Sequence, residues 1–435
     1  MIRRILVCAL LASTSVVAQE VELDGFRVTE VTAGLRGPTA LGVGNEGEVY
    51  VGESDDALNR VVSVDAEAGT IVSVAIGIDT PLAIEVPPAD RSLYSPSRIY
   101  VSDGGTDGTQ GTRIVTIDTT TPGVAPTEFY NAGTTIESVA LSIAFDADGR
   151  YSDDIFVVDS GLPDTIIRLA PDGTFRSSIP GAAGNLTDLA VTPSADSDLD
   201  QVLLVLYNAR GGGENRLASY SATGAAVTLL DGEELGEPVR FSIAPEDSCF
   251  GDAVFIADLA GGQILKVTRD DGAQVVEPFV TGLAWGAASS SGLLRFSRDG
   301  ETLFTVEDTT GRLLAITVDA NLDTDGDDEP DACDDDDDDD GVPDGEDNCP
   351  LAANEDQDPD VDCDDLDVPA DPDEDPNPDD EENPDDGDGE PGAENSADEG
   401  IRVEEGCSSA GALPGAGAVG LVGLMLLGLI RRRGR

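Results

Sequence analysis

Histidine is absent from the 435 residues, and Lys266 is the only lysine. Without histidine there is no Ser/His/Asp triad, no imidazole general base and no imidazole metal site. A bound metal must therefore be held by oxygen, which favours calcium or magnesium over zinc or copper. Positive charge is scarce as well: 24 Lys and Arg face 88 Asp and Glu, for a formal net charge of −64. The imbalance is uneven, because residues 320–406 hold 41 of the acids and one arginine, leaving 47 acids and 23 bases elsewhere. Such a field repels nucleic acid and anionic lipid and attracts divalent cations.

Both ends carry addresses. Residues 1–18 have the form of a signal peptide: Arg3 and Arg4, an apolar run over 5–11, and small residues at Val16 and Ala18 before a cut after Ala18. Near the other end, residues 413–430 are apolar or small and uncharged, and Arg431, Arg432, Arg433 and Arg435 follow. That length just spans a thin hydrocarbon core, with the arginines on the cytoplasmic side. Upstream stands Gly406-Cys407-Ser408-Ser409. This order resembles the MYXO-CTERM sorting tail. The resemblance implies a sorting protease as partner, with Cys407 as the point of processing and lipidation. A plain single-pass anchor is the alternative, and either one tethers the chain to a membrane.

Between 322 and 363 carboxylates alternate around glycines. Calcium takes six to eight oxygens, and alternate side chains of a tight loop converge on one ion. The run Asp336, Asp338, Asp340-Gly341-Val342-Pro343-Asp344, then Asp347-Asn348-Cys349-Pro350, Asn354 and Gln357 resembles thrombospondin type 3 repeats. The resemblance implies calcium as cofactor and two ligand sets. One is Asp323, Asp325, Asp327, Asp331 and Asp334; the other is Asp336, Asp338, Asp340, Asp344 and Asp347. Asp328 stands where the first repeat should have glycine, and a third site at Asp358, Asp360 and Asp362 lacks one too. Residues 364–405 are Pro, Asp, Glu, Asn and Gly with almost nothing apolar, the composition of a disordered acidic linker.

Six cysteines fit this division: Cys8 in the leader, Cys407 in the tail, Cys333, Cys349 and Cys363 in the stalk, and Cys249 alone in the globular part. In an exported chain Cys333 and Cys349 are expected to pair, which leaves an odd cysteine among the others.

Residues 19–321 are all-β in pattern. Strong strands at 48–52, 98–102, 154–159, 201–207, 253–258 and 302–307 start roughly 40 to 55 residues apart, each with a companion after it and most with one before. About four strands per unit and six units (38–78, 79–133, 134–181, 182–234, 235–282, 283–321) predict a six-bladed β-propeller. The leading strand at 26–32 would complete the last blade and close the ring; a pair of packed sheets is the competing fold. The phrases DIFVVDSGLPDTIIRLAPDGT and AVFIADLAGGQILKVTRDDGA resemble blades of NHL-type and gluconolactonase-like propellers. That resemblance implies a central divalent ion, yet Arg36-Gly37-Pro38-Thr39 has no carboxylate where the first ligand is expected. Asp55, Asp103, Asp159, Asn208, Asp258 and Asp308 recur at or after the second strand of each unit, either as a polar ring or metal set, or, as we prefer, as turn residues bonding local backbone.

The whole is thus expected to be an exported, calcium-binding protein of the cell surface or outer membrane, with a propeller that binds a protein or glycan. A calcium-dependent lactonase or esterase is the main alternative, and a structural spacer is a third reading.

Overall fold

The computed structural model describes residues 25–363 except 56–58, 105–112, 133–139, 147–148, 150, 161–163, 182–184, 193–202, 209–213, 221–225, 233, 246–247, 271–272, 287–292, 328, 355–356 and 358–362. The chain divides after Ala370 into two units, and every described residue belongs to the first. The leader with Ala18, the acidic linker, Cys407 and the apolar span at 413–430 lie outside the described residues. No helix among the described residues is long and apolar enough to cross a membrane.

Six sheets of four antiparallel strands form the ring, as the period predicts. Blade 1 is β2 (Pro38–Val43), β3 (Val49–Ser54), β4 (Asn59–Val64) and β5 (Ile71–Ile76); blade 2 is β6 (Pro81–Glu85), β7 (Arg98–Asp103), β8 (Arg113–Asp118) and β9 (Thr127–Asn131). Blade 3 is β10 (Ala140–Phe145), β11 (Ile155–Asp159), β12 (Thr165–Leu169) and β13 (Phe175–Pro180); blade 4 is β14 (Asn185–Val191), β15 (Leu203–Asn208), β16 (Arg216–Tyr220) and β17 (Ala226–Leu230). Blade 5 is β18 (Pro238–Ile243), β19 (Val254–Asp258), β20 (Gln263–Asp270) and β21 (Ala273–Val280). Blade 6 is β22 (Leu293–Phe296), β23 (Thr302–Glu307) and β24 (Arg312–Val318), completed by β1 (Phe26–Ala33), which pairs antiparallel with β24. The first strand among the described residues therefore closes the last blade and removes the exposed edge an open ring would keep.

The core is divided into six apolar clusters, each between neighbouring blades. Blades 1 and 2, for example, share Tyr50, Val61, Ile84, Ile99 and Val101, whereas Val49, Val51, Val62 and Val64 face blade 6. Alternate residues of one strand thus enter opposite interfaces. Middle strands such as β3, β11 and β15 are buried on both faces and read as continuous apolar runs, while the outermost β13 is largely exposed. Near the axis the inner strands crowd: a Cβ on Gly42 would lie 2.6 Å from Ile84 Cγ2 and 2.9 Å from the Ile84 carbonyl oxygen. Only glycine fits there.

The cysteine pairing differs from expectation. Cys249 bonds Cys333 and Cys349 bonds Cys363, so Cys333 does not pair with Cys349 and no odd cysteine remains among the four. The reason lies in the chain path. After β24, the Asp319 N–H donates to the Gly25 carbonyl, and the stalk turns back along the face where the β18–β19 loop presents Cys249. Two cysteines 84 residues apart are thereby brought together.

Candidate functional site

Three polar arrangements stand out, one at each end of the blades' strands and one in the stalk. At one end, each blade's second strand finishes on a buried acid or amide: Glu53, Asp103, Asp159, Asn208, Asp258 and Glu307. Their neighbours across the ladder open the inner strands, as in Pro38 opposite Glu53, Pro81 opposite Asp103 and Pro238 opposite Asp258. From there the side chains take up N–H groups of the segment entering the inner strand. Glu53 accepts from Arg36 N at 2.7 Å, Asp103 from Asp79 N at 3.2 Å, Asp258 from Glu237 N at 2.6 Å and Glu307 from Ala284 N at 2.9 Å.

An arginine near the start of the third strand completes the lock in three blades: Arg60 with Glu53, Arg113 with Asp103 at 2.8 Å, and Arg312 with Glu307. In blade 4 the position is the neutral Asn208, and Arg216 stacks over Tyr207 instead, 4.0 Å from its ring centroid. Although burial opposes it, hydrogen bonds from Thr310, Ala284 N–H and Arg312 hold the Glu307 carboxyl below its ordinary range.

The recurring side chains thus fasten backbone 17 to 24 residues away, at the entry to the inner strand, rather than initiating their own turn as expected. The Ala260 N–H to Asp258 bond at 3.1 Å is of the local kind expected. Two positions shift: Glu53 and Glu307, not Asp55 and Asp308, occupy the repeated place, although Asp308 also accepts from Gly286 N at 2.8 Å. The arginine partners were legible as an acid followed by Arg at the next strand's start, a signal the strand count passed over.

At the opposite end the inner strands finish around the central channel. In five blades the inner strand bulges within its first residues, and Ser142, Asp188 and Arg240 come directly after the bulge. A bulge bends the strand and re-aims the side chains beyond it. Among the described residues the channel holds two carboxylates, Glu85 and Asp188, and three guanidiniums, Arg240, Arg295 and, at the mouth, Arg298. Arg295 Nε lies 3.6 Å from Glu85 and its Nη1 3.9 Å from Asp188; Arg240 Nη1 donates to the Thr187 and Val239 carbonyls at 2.9 Å. Burial pulls the Arg240 guanidinium below its ordinary pKa, and burial raises Glu85 despite Arg295 and Arg298. Opposed charges of this kind do not make a cation cage. Above them a cavity of about 420 Å³ opens, walled by Val43, Phe145, Leu189, Phe241, Ile243 and Phe296.

In the stalk, Asp323, Asp325 and Asp327 each offer a carboxylate oxygen within 4.8 Å of the others, and so do Asp336, Asp338 and Asp340. Among the described residues these are the two such acidic groups, and neither is in the propeller. The remaining expected ligands shape the loop: Asp331 accepts from Thr324 N at 2.8 Å and Asp344 from Asp337 N at 3.0 Å. Asp334 accepts from Asp336 N at 3.0 Å and Asp347 from Cys349 N at 2.7 Å. Asp331 and Asp344 thus play the same part in successive turns, so the two sets are one unit used twice. Oxygens of Asp336, Asp338 and Asp347 are buried with no hydrogen-bond partner, a donor set whose chemistry fits a hard, oxygen-loving cation. Asp337, which was not expected as a site residue, is buried among them. Burial, with Asp344, Asp331, Asp334 and Asp338 adding repulsion, pushes its carboxyl up to about 7.

No family model matches the chain, and no curated protein matches it. Among solved structures it is similar to a Thermus thermophilus protein described as a putative oxidoreductase (glucose dehydrogenase), at 17% identity and a TM-score of 0.45, covering 67% of this chain and 100% of that one. A streptogramin B lyase matches at 13% identity and 0.45, over 68% of this chain and 98% of the lyase. An auxiliary nutrient binding protein of Bacteroides thetaiotaomicron matches at 10% and 0.48, over 67% and 76%. The six-bladed class rests on the sheets described above.

Proposed function

We propose that the chain is an exported, calcium-binding surface protein whose propeller is a binding module, carried on a calcium-ordered stalk and held to a membrane through its C-terminal tail. The observation that supports it most is the stalk's pair of converging carboxylate triads, the second of which has buried, unpartnered oxygens on Asp336, Asp338 and the neighbouring Asp347. Like charges at that spacing repel, and a divalent cation relieves the repulsion while taking up the free lone pairs. Asp323, Asp325 and Asp327 would hold one ion, and Asp336, Asp338 and Asp340 the other. The resemblance of this segment to thrombospondin type 3 repeats adds Asp331, Asp334, Asp344 and Asp347. The sorting-tail resemblance supports a tether processed at Cys407.

Calorimetry on the full exported chain tests the reading: at least two calcium ions should bind, at roughly 10⁻⁴ to 10⁻³ M as in extracellular modules. Magnesium should compete poorly, because it gives up its water reluctantly. A flat titration at millimolar calcium would sink the proposal. The lactonase or esterase alternative needs a cation at the channel, where Arg240 and Arg295 instead face Glu85 and Asp188. Lactones and esters offered with calcium should give no turnover above background.

A further inference from the structure

The binding-module reading leaves open what the propeller takes. We infer that the channel mouth is a site for a small organic anion with an apolar body, bound with its charged head towards Arg295 and Arg298; the inference rests on that reading and names its ligand class.

Three guanidiniums approach the channel in a chain that is otherwise short of positive charge. Two carboxylates oppose them, and both are compromised as counter-charges. Asp188 is engaged by backbone: Leu189 N donates to one of its oxygens at 3.0 Å and Phe241 N to the other at 3.0 Å. Glu85 stands 3.6 Å from Arg295, beyond hydrogen-bond range. Arg240 Nη2 and Arg295 Nε are buried without an acceptor. Arg298 extends from blade 6 past blade 1 to donate to the Val86 carbonyl of blade 2 at 2.6 Å, a neutral acceptor, and the nearby Glu85 charge is shared between Arg298 and Arg295. A carboxylate or sulfonate entering here meets the Arg295 Nε, already dehydrated, where charge-assisted bonds are strongest, and the exposed guanidinium of Arg298 at the mouth. The walls suit its other end, since the cavity of about 420 Å³ is in the range of small-molecule sites and is lined mainly by aliphatic and phenyl groups. A cation would face the guanidiniums. A sugar would leave its hydroxyls against Val43, Phe145, Leu189 and Phe296. The surrounding protein is strongly acidic, so an anion is admitted only where the local field is reversed, which makes this mouth selective by charge.

The full exported chain, saturated with calcium, is titrated with two fluorescent probes that share one ring system. Anilinonaphthalene sulfonate carries the anionic head, and N-phenyl-1-naphthylamine lacks it. The expected result is a single saturable sulfonate site with at least about tenfold preference over the neutral probe, the size of one or two charge-assisted hydrogen bonds. Arg298→Gln should remove most of that preference while leaving the neutral probe unchanged. Ala190→Phe, which fills the cavity, should abolish both signals with the circular dichroism intact. Competition by octanoate against 2-naphthoate then separates an aliphatic from an aromatic natural ligand. Equal affinity for the two probes, or no response to Arg298→Gln, overturns the inference, as does the absence of a saturable site. If calcium uptake persists while probe binding fails, the anion site falls and the surface-protein reading stands. Probe binding without calcium uptake has the reverse meaning.

Discussion

The bond between Cys249 and Cys333 gives a prediction whose size comes from chain topology. It joins residues 84 apart and encloses β19 to β24, the greater part of blades 5 and 6. In the chain-entropy treatment, closing a loop of that length removes disorder from the unfolded state worth about 4.5 kcal/mol, against about 3 kcal/mol for the 14-residue loop of Cys349 and Cys363. Changing both Cys249 and Cys333 to serine should therefore lower the unfolding free energy of the propeller by roughly 3 to 5 kcal/mol. Trp285, the protein's one tryptophan, packs on the blade 5–6 core and donates its Nε1 to the Val306 carbonyl. Its fluorescence in urea thus reports the enclosed region directly. Peptide mapping without reductant should find the Cys249 and Cys333 peptides linked. A loss below about 1 kcal/mol, or a fragment joining Cys333 to Cys349, would refute the reasoning, since the smaller loop lies wholly in the stalk.

The strand-end locks give two more predictions. Glu307→Ala should cost about 3 to 5 kcal/mol, because Arg312 and the Ala284 N–H lose a buried partner together, and Glu307→Gln should recover part of it; urea melts of the three proteins measure this. The same carboxyl sets a pH trend. Its folded pKa lies below its unfolded value of 4.5, so its stabilisation is complete above that value and is lost as the pH falls through the folded pKa. Melts between pH 6 and 3 should show this slope in the wild type, and it should be flatter in Glu307→Gln. A separate expectation concerns Cys407, outside the described residues: mass spectrometry should find the mature C-terminus cut close to it, and Cys407→Ala should retain the uncut precursor. An intact chain ending at Arg435 would leave only the plain anchor.

Much of the ring was legible in sequence because a propeller repeats one local unit. Each blade supplies a buried run such as Ile155–Asp159 and a turn, and the period of these runs sets the number of blades. The leading strand also betrayed its role, since it had no blade of its own to join. Pairings across the molecule were hidden. Cys249 and Cys333 are made neighbours by a stalk that folds back, and nothing near either residue records that. Arg240 and Arg295 sit on short inner strands like any other, and only the sixfold closure makes them face Asp188 and Glu85. The stalk was the opposite case. Its carboxylates act over a few residues, so the spacing of Asp323, Asp325 and Asp327 already implied their convergence.

The stapled stalk also determines where tension goes. A pull on the chain beyond Cys333 does not reach the end of β24 first, because the covalent bond passes it to the β18–β19 loop of blade 5. With that bond cut, the same pull would travel up the chain to Val318 and bear on β24, and through its ladder on β1, the strand that shuts the ring. The disulfide is thus a strain relief: it lets the C-terminal chain be tugged while the closing blade stays unloaded.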